Sequence, residues 1–131
     1  MHPFAFRLLP GQDLKSEIPR FVSIHYIKAG FVMTCVGSLQ SARLRMANET
    51  VCDFKGPFEI VSLVGTLSAD GVHLHISLSD KEGRVVGGHV KEGCIVHTTA
   101  EIVIGNIERM TFSRVHDLHT KFKELVVLEK K

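Results

Sequence analysis

From residue 31 to residue 112 the chain is a succession of β-forming runs, each closed by glycine, proline or a turn pair. That punctuation favours strands over helices, because a helix needs a longer run of three- and four-residue apolar spacing. Phe31–Val36 is rich in β-branched and aromatic residues and is bounded by Gly37. Ala42–Ala47 alternates polar and apolar side chains, as a half-exposed strand does. Pro57 precedes a long run from Phe58 to Leu67. Asp70-Gly71 is the strongest hairpin signal in the chain, and it leads into Val72–Leu78. A second turn, Asp80–Gly83, precedes Arg84-Val85-Val86 and Gly87-Gly88-His89. Ile95-Val96, Glu101–Ile104 and Met110–Phe112 follow, and the chain closes through Leu125–Leu128.

Before residue 31 the pattern differs. Residues 2–9 read as a strand ended by Pro10-Gly11. Leu14, Ile18, Phe21, Ile24 and Ile27 then recur at the spacing of one buried helical face, with Gly30 as the stop. Pro19 is tolerated if Ser16 caps this helix, since the first turn needs no amide donor there. If the helix opens at Asp13, Pro19 must kink it. The expected architecture is α+β: one principal helix packed on a mainly antiparallel sheet of seven or eight strands. No linker or repeat divides the chain, so residues 1–131 are read as a single domain.

Charge narrows the function classes. The net charge is +2, and the basic residues are spread along the chain. There is no tryptophan and one tyrosine for base stacking, so tight nucleic-acid binding is not expected. No apolar run reaches the ~18 residues of a membrane span. The N-terminus carries no secretory pattern, and three scattered cysteines, Cys35, Cys52 and Cys94, suit free thiols. A cytoplasmic location follows as an expectation.

The local feature with most chemistry is His73-Leu74-His75. On a strand, residues i and i+2 share a face, so the two imidazoles can converge on one point. His89 follows two glycines, which permit close backbone approach. Three imidazoles with an open fourth position suit Zn²⁺. The competing reading is a set of solvated strand histidines. Four of the eight histidines, His73, His75, His89 and His97, lie in residues 54–104, a segment with six acidic and four basic side chains. His97 could reach the same region. His25 reads as structural, His116 and His119 as a solvated pair, and His2 as uninformative. Glu59 and Glu101, carboxylates within apolar strand runs, are candidates for general base or for partner to a metal-bound histidine. Arg7 is a candidate charge partner. Neither a nucleophile elbow nor a glycine-rich phosphate loop is present, and no catalytic residue is assigned.

Three stretches, Gly56–Leu67, His73–Asp80 and Gly83–Val90, resemble in content and order the PPC domain, the plant and prokaryote conserved domain. Arg7, Gly11–Leu14, Cys35–Leu39 and Thr99–Glu101 extend the resemblance over nearly the whole chain. The resemblance implies an antiparallel sheet packed on a helix and assembly as a homotrimer. Plant members join the domain to an AT-hook that contacts A·T-rich DNA, whereas this sequence holds no Arg-Gly-Arg-Pro run. With His73, His75 and His89 all in place, the sequence resembles the metal-containing branch. The resulting expectation is a trimeric metal-binding module for a small-molecule or protein ligand. The alternatives are a zinc-dependent hydrolase or lyase acting on a small molecule and, more weakly, a DNA-associated regulatory protein.

Overall fold

The computed structural model describes residues 1–131, and its elements follow one another as eight strands and one helix. They are β1 (His2–Leu8), α1 (Leu14–Ile24), β2 (Gly30–Arg45), β3 (Val51–Ser68) and β4 (Gly71–Ser79), then β5 (Val85–Val90), β6 (Ile95–Asn106), β7 (Met110–His116) and β8 (Lys123–Glu129). Six strands form one antiparallel sheet in the order β1-β6-β2-β3-β4-β5, and β7 with β8 makes a separate hairpin. The α+β expectation therefore holds.

The large sheet curls on itself. Strand β5 pairs with β4 along its length and also meets the end of β2, where Leu44 faces Val90 and Arg45 faces His89. Closure of this kind removes a free edge. The core fills the inside of the curl, with Leu39, Leu44, Leu67, Leu74, Leu78, Val90 and Ile102 among its fully buried side chains. Cys35 and Cys94 belong to this core. Burial pushes the Cys35 thiol up to about 12, with the Glu101 carboxylate adding to the effect, and burial raises Cys94 as well.

The strand count, eight, is within the expectation, but some runs that the punctuation separates join into longer strands. Phe31–Val36 and the run from Ala42 are parts of one strand that ends at Arg45, because Gly37 is a bulge and not an end. At φ +156, a Cβ on Gly37 would lie 1.9 Å from the Thr99 carbonyl oxygen, so only glycine lets β6 approach there. Strand β3 likewise starts at Val51, ahead of Pro57, and Ile95–Val96 runs unbroken into Glu101–Ile104.

The helix decides between the two expected starts and corrects the reading of its buried face and its stop. Asp13, not Ser16, is the N-cap: its Oδ1 accepts from the Lys15 amide at 2.8 Å. Pro19 therefore sits inside the helix. The buried face is Leu14, Ile18 and Val22, while Phe21 is half-buried and Ile24 exposed. Gly30 already belongs to β2. The helix ends instead with Tyr26 at φ 53, the Tyr26 amide donating to the Ser23 carbonyl and the Ile27 amide to that of Val22. This is a Schellman stop, and the apolar pair that accompanies it is Val22 with Ile27, both buried. A sequence scan for glycine misses this stop because tyrosine occupies the left-handed position.

Candidate metal centre

Strand β4 alternates cleanly. Leu74, Ile76 and Leu78 point into the core, and His73, His75 and Ser77 point outward. Across the ladder His75 faces His89 of β5, which places a third imidazole on the same outer face. Gly88 makes this crossing fit: its Cβ would lie 2.9 Å from the Arg45 carbonyl oxygen and 2.8 Å from Met46 Cε. The double glycine thus has the role read from the sequence, allowing β5 to slide between β4 and the end of β2.

The ring nitrogens of His73, His75 and His89 lie within 4.8 Å of one another. His73 Nε2 and His75 Nε2 are 3.2 Å apart. Two ligands on a tetrahedral metal with bonds of ~2.0–2.1 Å stand about 3.3 Å apart, so this pair is spaced for shared coordination. His89 Nδ1 is buried and has no hydrogen-bond partner, a costly condition for a ring nitrogen that a metal ion would relieve. Burial lowers the His89 pKa to about 4, helped by Arg45, His73 and His75. The His73 pKa is also lowered, first by burial and then by His75 and Arg114, with Glu124 opposing. Both rings are held neutral, the form that coordinates metal. The donor set fits Zn²⁺ with an open position.

The other sequence candidates lie elsewhere. Glu59 is exposed and lines a separate cavity with Ser38, Asp80 and His97, so His97 does not reach the triad. Glu101 faces Arg7 across β6 and β1 and accepts a long hydrogen bond from Thr99 Oγ1 at 3.4 Å. Arg7 donates to Thr99 Oγ1 at 2.8 Å, so Arg7 and Glu101 meet through a threonine. Neither carboxylate lines a cavity beside the three histidines. His25 stacks on Phe21 with ring centroids 3.9 Å apart, as a structural residue does.

Sequence reasoning missed Arg45, Arg114 and Phe122. Arg45 Cζ sits 5.3 Å from the Phe122 ring centroid, beside the histidines. Arg114, from β7, donates to Thr66 Oγ1 at 2.6 Å, and Thr66 is the cross-strand partner of His73. These residues are remote in sequence from residues 73–89, and no local motif marks them.

A family model for the plants and prokaryotes conserved domain matches residues 1–108. The chain belongs to this family. The PPC domain so defined ends before the β7–β8 hairpin, which supplies Arg114 and Phe122. A bifunctional protein GlmU of a Synechococcus strain is 47% identical over 124 residues, 93% of this chain. The chain spans about a fifth of that relative's length, 20%. A hypothetical protein from Salmonella has the same PPC architecture at a TM-score of 0.94 and 40% identity, covering 99% of this chain and 95% of its own. A metal-containing protein from Archaeoglobus fulgidus shares the fold at a TM-score of 0.77 and 24% identity, covering 96% of this chain and 94% of its own.

Proposed function

We propose that this PPC domain is a metal-dependent binding module: His73, His75 and His89 hold one Zn²⁺, whose open position faces a ligand in the adjoining cleft. The observation that carries the reading is the convergence of three ring nitrogens, one of them buried and unpartnered. The metal-containing protein of the same fold supports it. When bound, the metal supplies a Lewis-acidic position for an oxygen or nitrogen donor. The chain's own residues fix the imidazoles on two paired strands, hold those of His73 and His89 neutral, and wall the site with Arg45 and Phe122. Elemental analysis of purified protein is the test. About one zinc per chain is expected, and a chain that takes up no divalent metal when supplied with one overturns the reading.

Glu59 and Glu101, the carboxylates expected to serve as base, stand away from the histidines, so the hydrolase or lyase reading loses the residues it rested on. Glu49 and Glu124 do line the cavities, but neither belongs to the cluster of converging ligand atoms, and a binding role is favoured. We further propose assembly as a homotrimer. Val36, Val61, Val64 and Val85 are exposed on the sheet, as are Leu125–Leu128 on β8, and apolar rows of this size call for a covering partner. No helix of the chain is long and apolar enough to cross a membrane. A reducing, cytoplasmic setting is proposed from the three free cysteines.

A further inference from the structure

We infer that the ligand received beside the histidines carries a small oxyanion group, a carboxylate or a phosphate, gripped by the Arg45 guanidinium while it faces the metal. The inference rests on the metal reading above and specifies what the open position is for.

The first support is placement. Residues paired across neighbouring strands share a face, so His75, His89 and Arg45 stand in one row across β4, β5 and β2. Arg45, His89 and Phe122 line two cavities, of about 680 and 300 Å³. His75 lies in the larger and His73 in the smaller, so the histidines and Arg45 share one cleft.

The second support is unused hydrogen-bonding capacity. The three ion pairs of the chain are Arg20–Glu17, Arg43–Asp53 and Arg84–Glu82, and Arg45 is in none of them. No hydrogen bond within the chain uses its guanidinium, which rests on the Phe122 ring alone. Arg114, by contrast, already donates to Thr66. A guanidinium fork positioned by an aromatic face with its donors free is suited to a carboxylate or phosphate.

The third support is charge. Around the two cavities Arg45, Arg114 and Lys123 are matched in number by Glu49, Asp70 and Glu124. Imidazole coordinates as a neutral ligand, so the three ligands leave both charges of a divalent metal uncompensated. An anion lying between the metal and Arg45 offsets them and fills both sets of vacant positions.

Cobalt(II) substitution tests this, because its visible spectrum reports metal occupancy and the identity of the fourth ligand separately. Cobalt-loaded protein is titrated with acetate in one arm and with inorganic phosphate in the other, and the tighter arm names the source of the oxyanion. The wild-type spectrum should shift with saturation. Arg45→Gln should bind cobalt equally well and the anion about tenfold or more weakly, the usual worth of a charged hydrogen bond. Arg45→Lys should fall between the two, and it keeps the test open if the glutamine variant misfolds. Arg84→Gln, remote and exposed, should match wild type. Cobalt binding with no response to either anion, or an Arg45→Gln response equal to wild type, overturns the anion inference and leaves the metal site standing. Failure of the wild type to take up cobalt overturns the metal reading, and this inference with it.

Discussion

His75 and His25 differ in what surrounds them, and the difference is measurable. His75 faces His89 across the ladder and approaches His73, whereas His25 stacks on Phe21 at the helix end. His75→Ala should lose most of the bound zinc while the apolar core keeps the fold. His25→Ala should leave zinc content unchanged. Full zinc stoichiometry in the His75→Ala protein would show that the ion sits elsewhere. Protonation offers a second check. In metal-free protein the His89 pKa is lowered to about 4 from an ordinary 6.5, so between these values the unfolded chain binds more protons than the folded one. Stability is then fully present above about pH 6.5 and declines as pH falls toward 4. His89→Gln should flatten this slope in denaturant titrations across that window, and an unchanged slope would assign it to other groups.

The elements depend on a few ties that reach beyond their own turns. Asp13 is the clearest. Its Oδ1 caps the helix, and its Oδ2 accepts from the Gly93 amide at 2.6 Å, fastening the helix start to the β5–β6 connection. Asp13→Ala removes both, so the expected cost is about 3 kcal/mol, made of a cap of ~1 kcal/mol and a charged hydrogen bond of ~2 kcal/mol. Urea unfolding with an unchanged m-value would read it. Gly37 is the corresponding position in the sheet. Adding a methyl group there sets a Cβ against the Thr99 carbonyl oxygen at a positive φ, so Gly37→Ala should cost about 3 kcal/mol or more. A loss below about 1 kcal/mol would mean that β2 and β6 part without difficulty.

At the scale of the whole molecule, the exposed valines of the sheet face and the apolar β8 set the expectation for assembly. Light scattering at micromolar concentration should give a mass about three times 14.6 kDa. Val61→Glu, on the exposed face, should shift that mass toward the monomer while leaving the far-ultraviolet circular dichroism unchanged. A wild-type mass of a single chain would rule the trimer out. Charge sets a second expectation. With a net charge of +2, the chain should bind an A·T-rich duplex only weakly at physiological salt and no better than a random competitor.

Short-range chemistry made much of this protein legible before any coordinates. Period-two alternation over Val72–Leu78 put His73 and His75 on one face, Asp70-Gly71 marked the hairpin, and Gly87-Gly88 announced a close approach. Each of these depends on neighbours within a few residues, which is all that a strand period or a turn requires. Gly37 misled because a glycine that ends a strand and one that accommodates a bulge look alike until the partner strand is in place. Tyr26 hid the helix stop because the buried Val22 and Ile27 hold it in a conformation its type disfavours. Glu59 lies at the far end of the β3–β4 hairpin, opposite Ser79, whereas Glu101 could not be placed relative to the histidines, since β6 joins the sheet by pairings that no local pattern records. Arg45, Arg114 and Phe122 were invisible for the same reason. The sequence by itself determined which side chains share a strand face. The curl of β5 onto β2 and the lean of the β7–β8 hairpin decided what stands beside them, because those arrangements come from burying one common core.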